Sequence, residues 1–373
     1  MSNNKQSVNE QRERIGEEFG RDSDPLEQYN ENFVRMADDG VDPFEMFLDD
    51  IVRDSGLDDS TVGEYERHVQ DFKDHLSEYD RHPACADDTY VIGFARREFD
   101  EKGNGKGTVR TKLFHLRKAY DYFATENVFP HSDEYNPVSS AWEKIKWPEK
   151  DRKEYPKVTR EEMRESLSNI THIKKLAVIL LGLKLGMRQG AIRNLKLQDI
   201  HINNSGLEAH YSELGSNPRL DGRENAIYIP PWYDRSENKS VNPRVLPLDD
   251  EMRQVLTQYL QVRPDCGEPW VFISQTHHEK IRDKDGINRH WREQLRPHIK
   301  AADYEKELTS HFGRHWFSTY WKIEKEMQKE YVQYMRGDKI GDGVDGDSIE
   351  EYLHSYYPDI EDRYREEIYK LLP

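Results

Sequence analysis

At 373 residues the chain is long for a single core, and 72 acidic against 55 basic side chains give a formal net charge of -17, a balance that by itself argues against nucleic-acid binding. Cys85 and Cys266 are the only cysteines, so no disulfide framework is implied and a reducing interior is expected. The longest apolar run, 176–185, is broken by Gly182 and Lys184 and is too short to span a bilayer, and the polar N-terminus lacks a signal-peptide core; a cytoplasmic protein with no membrane partner is expected.

Residues 1–40 are acidic and aperiodic and are expected to form a disordered tail. Pro43 to Arg53 predicts a first amphipathic helix, and Val62, Tyr65, Val69, Phe72 and Leu76, spaced 3, 4, 3, 4 behind Asp59 and Ser60, predict a second. A third is expected over Tyr90 to Glu98. The turn at Gly103, Gly105 and Gly107 lacks the Gly-Lys-Ser/Thr order of a phosphate loop, because Gly107 separates Lys106 from Thr108. A fourth helix follows, with Val109, Leu113, Leu116, Tyr120 and Phe123 as its buried stripe. These helices make a domain over 41–140, and 141–157, rich in Lys, Glu and Pro, is expected to be a linker to a second domain over 158–373.

In the second domain Thr159 with Glu161 and Glu162 predicts a capped helix, and Ile173 to Leu185 the most buried one. Ile200 to Ile202, Glu208 to Tyr211, Ala226 to Ile229 and Arg244 to Leu246 are short β-prone runs that predict a small sheet, and Trp270 to Ser274 is either a strand or a loop. A final helix is expected over Ile360 to Leu372, whose stripe of Ile360, Tyr364, Ile368 and Leu371 needs a partner surface.

The distribution of charge points the opposite way from its sum. Lys102 to Lys118 holds six basic residues and no acidic one (Lys102, Lys106, Arg110, Lys112, Arg117, Lys118), and Ser166 to Gln198 holds six more. In so acidic a chain these are surfaces kept positive, which reverses the argument against nucleic-acid binding. An acidic exterior with basic islands also fits a protein that works in very high salt.

Chemistry-bearing residues concentrate between Leu308 and Tyr357. Thr309 and Ser310 are placed to cap a helix on which His311, Arg314 and His315 share a face. Taken alone, that spacing also suits a solvated face or a structural His pair. A zinc site would need further ligands, and His277-His278 lies in a polar loop without them.

Four further stretches give this box a context. LLGLKLGMRQGAIRNLKLQDI, Leu180 to Ile200, resembles the stretch bearing the first catalytic arginine of the tyrosine recombinase (phage integrase) family, with Arg188 as that arginine and Asp199 and Ile200 as the pair that follows it. NKSVNPRVLPL, Asn238 to Leu248, resembles the family's lysine-bearing hairpin, its Arg-x-x-Pro-Leu phrase matched by Arg244, Pro247 and Leu248 and its lysine by Lys239. His311 and Arg314 match the His-x-x-Arg box, and Tyr352-Leu353-His354 matches the Tyr-x-His that carries the nucleophile. The helical first domain, above all the Gly107-Thr108-Val109-Arg110 start of its fourth helix, is similar to the family's core-binding, SAM-like domain. The acidic balance would suit an archaeal-like, halophilic member.

The resemblance implies a mainly α, two-domain, C-shaped clamp, all-helical in its first half and mostly helical with a small antiparallel sheet in its catalytic half. It implies site-specific DNA recombination or integration through a 3′-phosphotyrosyl intermediate, by a homo-oligomer, a tetramer on DNA, that uses neither metal nor ATP. Tyr352 would attack the phosphate, Arg188 and Arg314 would hold its oxygens, Lys239 would protonate the leaving 5′ oxygen and His311 would assist proton transfer. Lys106, Arg110, Lys112, Arg117 and Lys118 would contact DNA. The chain departs from the family in three places: Ala191 stands where an acidic residue follows the first arginine by three, Asp338 or Lys339 stands where a His or Trp is usual, and GDGVDGDS lengthens the approach to the tyrosine. Tyr356 remains the alternative nucleophile. A tyrosine topoisomerase and a DNA-binding protein without catalysis are the competing functions.

Overall fold

The structure, a computed structural model, describes residues 8–20, 24–149, 155–283, 285–299, 306–340 and 349–372. The chain divides into two compact units, Met1–Asp151 and Arg152–Pro373.

The first unit is all helical, and its helices start where short polar side chains can satisfy free backbone N–H groups. Asp42 accepts from Phe44 N (2.9 Å), Asp58 from Ser60 N and Thr61 N (3.1 Å each), and Asn136 from Val138 N (3.0 Å). The Asp59–Leu76, Asp88–Asp100 and Lys106–Thr125 helices bury Tyr65, Val69, Phe72, Phe94, Leu113, Leu116 and Phe123 in one core, as their periodicity predicts. Two boundaries differ from expectation. Residues 24–40 are not a disordered tail: the Asn30–Asp38 helix buries Phe33 to 2% exposure, Leu26 is buried beside it, and Arg81 pairs with Asp24 at 2.6 Å. Two apolar anchors suffice to dock a segment whose composition is otherwise that of a solvated chain. The Pro137–Lys144 helix also belongs to this core through Val138 and Ala141, so the folded unit runs past the expected start of the linker at 141.

The second unit is built around the Ile173–Leu185 helix, which buries ten of its residues. Gly182 in this helix and Gly313 in the Ser310–Thr319 helix both face the Trp291 ring so closely that a Cβ at either position would overlap it. Three antiparallel strands in the order β1-β2-β3, Ile200–His201, Ala226–Ile229 and Arg244–Pro247, pair through Ile200↔Ile227, Ile227↔Leu246 and Ile229↔Arg244. Mainly α with a small antiparallel sheet is therefore the observed architecture. Glu208 to Tyr211 is not a strand: Asn204 accepts from Leu207 N (3.1 Å) and starts the Ser205–His210 helix, a local cap overriding a weak β pattern. Trp270 to Ser274 forms only isolated bridges, Lys196↔Trp270 and Ile273↔Lys280.

The C-terminal expectation is corrected twice. A single helix, Ile349–Glu367, carries both Tyr352 and the start of the terminal stripe. Ile360, Tyr364, Ile368 and Leu371 are buried in the core of their own unit, where the Tyr364 hydroxyl donates to Lys184 O (2.7 Å) and Glu251 accepts from Leu371 N and Leu372 N (2.8 Å each). The stripe's partner surface is the same chain. Among the described residues no helix is long and apolar enough to cross a membrane.

Candidate active site

Arg188 is positioned by a helix end. Gly186, with φ of 58°, closes the Ile173–Leu185 helix in the left-handed region, and the chain turns so that Arg188 stands as the extended N-cap residue of Gln189–Arg193. Its Nη2 donates to Asp338 Oδ1 at 3.1 Å, while its buried Nη1 has no partner among the described residues. Asp199, the first of the matched Asp-Ile pair, is a structural group: fully buried, it accepts from Lys196 N (3.0 Å) and from Asn217 (3.0 Å) and pairs with Arg235.

Lys239 lies in the loop joining β2 and β3. That loop is held against the Arg188 region, because Asn194 donates to Ser236 O (2.9 Å) and Asn238 Oδ1 (3.1 Å), and Arg193 pairs with Glu237 at 2.6 Å. Lys239 itself is exposed, and its charge reaches His311.

The Ser310–Thr319 helix begins differently from expectation. Thr309 occupies the N-cap position without a side-chain bond, and Asn288 from a neighbouring helix accepts instead from Ser310 N (3.1 Å) and Oγ (3.0 Å). His311 and Arg314 then enter one site. The imidazole is held below its ordinary pKa by burial, then by the charges of Arg188, Arg314 and Lys239, so at neutral pH it is an uncharged proton acceptor. Arg314 is buried and held by three hydrogen bonds: Nη1 donates to Gly186 O and Arg336 O, both at 2.9 Å, and Nη2 to Asp338 Oδ1 at 2.6 Å. His315 departs from this group and packs its ring against Tyr155, centroids 5.0 Å apart. Among the described residues no cluster of three or more His, Cys, Asp or Glu side chains could hold a metal.

Asp338 is the centre of the constellation. Besides its two bonds from Arg188 and Arg314, it pairs through Oδ2 with Arg336 at 2.6 Å. Burial alone would raise its pKa, but the charges of Arg314, Arg336 and Arg188 outweigh burial and hold the carboxyl below its usual range. Lys339 is exposed, so of the two expected candidates it is Asp338 that enters the site. Ala191 is buried and brings no charge, and the whole GDGVDGDS insertion, 341–348, lies outside the described residues. Sequence reasoning missed Arg336 altogether; its signal was its place two residues before Asp338.

Tyr352 presents a buried hydroxyl with no hydrogen-bond partner among the described residues. Burial pushes this phenol well above its ordinary pKa, and Asn242 and Arg244 pull in the opposite direction. Its ring packs on Tyr334 and Tyr356, at 5.4 and 5.1 Å. Tyr356 stacks on Tyr334 at 5.0 Å and 12° and meets Tyr331 edge-on at 5.9 Å, so it serves as a member of an aromatic stack.

In the first unit the basic window divides. Arg110 is exposed and lies over Trp142 (5.0 Å) and Trp147 (5.9 Å), Lys118 is exposed over Phe114 (5.2 Å), and Arg117 is exposed near Asp121 (3.9 Å). Lys106 is half-buried at the start of the same helix. Lys112, expected on this face, is instead turned inward: it is 6% exposed and pairs with the fully buried Glu98 at 2.7 Å and with Asp71, so it cannot reach a phosphate. A buried carboxylate needs a cation, and Lys112 is that cation.

A family model described as the phage integrase family matches residues 156–343. The fold is similar to that of the Tn1549 transposon integrase in complex with transposon right end DNA, with TM-score 0.59 and 16% identity over 80% of this chain and 92% of that one. It is also similar to a lambda integrase tetramer bound to a Holliday junction, with TM-score 0.56 and 15% identity over 91% and 88% of the two chains. A lambda integrase dimer bound to a COC' core site gives TM-score 0.56 and 14% identity over 82% and 98%. No curated protein sequence matches the chain.

Proposed function

The chain belongs to the phage integrase family, and from that premise we propose that it is a site-specific DNA recombinase in which Tyr352 cleaves and rejoins strands of double-stranded DNA. The observation that carries this is the convergence of Arg188 and Arg314, from separate helical elements, on the single Oδ1 atom of Asp338. Two guanidinium groups aimed at one oxygen form an anion site with the geometry a phosphate requires. Asp338 occupies the place of that phosphate, and the scissile group displaces it.

In the proposed reaction the Tyr352 oxygen attacks phosphorus as the phenolic proton leaves to water, and the bond from phosphorus to the 5′ oxygen breaks. The Lys239 ammonium protonates that leaving oxygen, and neutral His311 relays protons at the same edge of the phosphate. Arg188 and Arg314 stabilise the charge on the non-bridging oxygens. The phosphotyrosyl bond conserves the energy of the broken strand, so rejoining is the same step in reverse. The exposed Arg110, Arg117 and Lys118, with Lys106, serve as phosphate contacts of the first unit. Assembly as a homo-tetramer on DNA is part of the proposal, supported by the tetramer that lambda integrase forms on a Holliday junction.

Incubation with a panel of nicked duplexes, whose broken strand diffuses away after attack, tests the assignment. A denaturant-stable protein–DNA adduct with a free 5′ hydroxyl on the released strand is expected. DNA binding without adduct on any duplex would favour a binding protein that has kept the fold without the chemistry.

A further inference from the structure

Arg244, the first residue of β3, is 0% exposed, yet it makes only one hydrogen bond among the described residues, from Nη1 to Ser240 Oγ at 2.8 Å. Its Nε and Nη2 are buried and unpartnered there. Two other buried cations of this unit are better satisfied. Lys184 pairs with Asp249 at 2.6 Å and with Glu251, and Arg263 spreads its donors over the carbonyls of Pro264, Glu268, Trp270 and Val271. Holding a guanidinium out of water without a counter-ion is costly, so its retention calls for an anion that arrives later.

The surroundings identify that anion. The turn bearing Asp338 presses on the guanidinium: Gly337 adopts φ of 65°, and a Cβ there would overlap Arg244 Nη1. Asp338 pairs directly with Arg188, Arg314 and Arg336 and makes no hydrogen bond to Arg244 among the described residues, acting on it only through its charge. The ring of Tyr352 packs 5.4 Å from that of Tyr334, whose hydroxyl bonds the backbone of Val245, the residue after Arg244; the buried Tyr352 hydroxyl, like Asn242 Oδ1 and Arg188 Nη1, has no partner among the described residues. Arg244 and Tyr352 act on one another electrostatically, and the arginine opposes the rise in the phenol's pKa that burial causes. Burial, then the charge of Arg188, brings Arg244 itself down to about 9, which leaves it a cation at neutral pH. A phenolate formed at Tyr352 would be a new anion in this corner, beyond the phosphate that Arg188 and Arg314 would hold.

We propose that Arg244 is the electrostatic partner of the Tyr352 phenolate, a positioning residue that makes the nucleophile available at neutral pH. The inference rests on the recombinase chemistry proposed above. Arg244 keeps its proton throughout: the phenolic proton goes to water, the new bond runs from the phenolic oxygen to phosphorus, and the proton from Lys239 goes to the departing 5′ oxygen.

The test is the single-turnover rate of adduct formation on a nicked duplex as a function of pH, for the full chain and its Arg244→Met and Arg244→Lys variants, with DNA affinity and thermal stability measured alongside. Arg244→Met removes the charge but keeps an unbranched side chain, and relieving an unpaired buried cation should leave stability equal or higher. The expected result is cleavage slowed about 100-fold or more, unchanged DNA affinity, and a rate that keeps rising to higher pH than in the parent. Arg244→Lys should recover most of the rate and restore the parent pH profile. An Arg244→Met rate within about threefold of the parent, or an unaltered pH profile, overturns the proposal, as does unfolding of both variants, which would make the residue structural. Failure of the parent itself to form an adduct would instead overturn the recombinase assignment.

Discussion

Arg188 and Arg314 share one oxygen atom: Asp338 Oδ1 accepts from Arg188 Nη2 at 3.1 Å and from Arg314 Nη2 at 2.6 Å. A carboxylate therefore neutralises the pair that would otherwise face each other as like charges, and it holds them apart at a spacing a phosphate oxygen can adopt.

Replacing Asp338 by Asn should free that site for anions. Isothermal titration with inorganic phosphate should show affinity raised at least about tenfold, since a negative charge within hydrogen-bonding reach of the ligand is removed. The same variant should lose about 1–3 kcal/mol of stability at neutral pH, from lost charge-assisted hydrogen bonds. The sign with pH follows from the direction of the shift. Asp338 is held below its ordinary value of 3.8, so its contribution is complete above that value and disappears as pH falls through the lower folded-state value. Thermal scans of parent and variant should therefore converge only in strong acid; a gap that stays constant from neutral pH to strong acid would contradict the ion-pair account.

The basic face of the Lys106–Thr125 helix should separate into two behaviours. Arg110→Ala, Arg117→Ala and Lys118→Ala together should weaken DNA binding and reduce the slope of log affinity against log salt by about 0.9 per lost phosphate contact. Lys112→Ala should leave that slope alone and instead cost about 3–5 kcal/mol in denaturant melts, because it strands Glu98. A salt slope that responds to Lys112 would reverse the assignment.

Deleting the residues after Asp359 should unfold the second unit rather than merely prevent assembly. The truncation removes Ile360, Tyr364, Ile368 and Leu371 from their own core and leaves Glu251 without the backbone groups it caps. Ile360→Ala alone should cost about 2–5 kcal/mol. A truncated chain that melts as the parent does, but fails to form higher-order complexes on DNA, would show that the tail works between protomers.

Much of this was legible in the residues. The 3, 4, 3, 4 spacing gives the Asp59–Leu76 helix, although its cap is Asp58 rather than the expected Asp59 and Ser60, and Arg188, His311 and Arg314 meet as the resemblance implies. What escaped has a common physical cause: a pattern shows that a side chain is buried or charged but not what it meets. The stripe ending at Leu371 needed a surface, and only the folded chain shows that the surface is its own. Lys112 reads as one of six cations until Glu98 is seen beneath it. Asp338 reads as a departure from a family pattern, whereas in space it is the group on which three arginines converge. Phe33 and Leu26 are too few to create periodicity, yet they are enough to fold residues that composition assigns to solvent.

The most direct test of the central claim is the identity of the residue joined to DNA. The adduct trapped on a nicked duplex is digested, and the modified peptide is mapped by mass spectrometry in the parent, Tyr352→Phe and Tyr356→Phe chains. Phe preserves the rings that pack on Tyr334 and removes only the phenolic oxygen. Attachment at Tyr352 is expected, with no adduct from Tyr352→Phe at nearly unchanged DNA affinity and a persisting adduct from Tyr356→Phe; attachment at Tyr356, or an adduct that survives Tyr352→Phe, would contradict the assignment of the nucleophile.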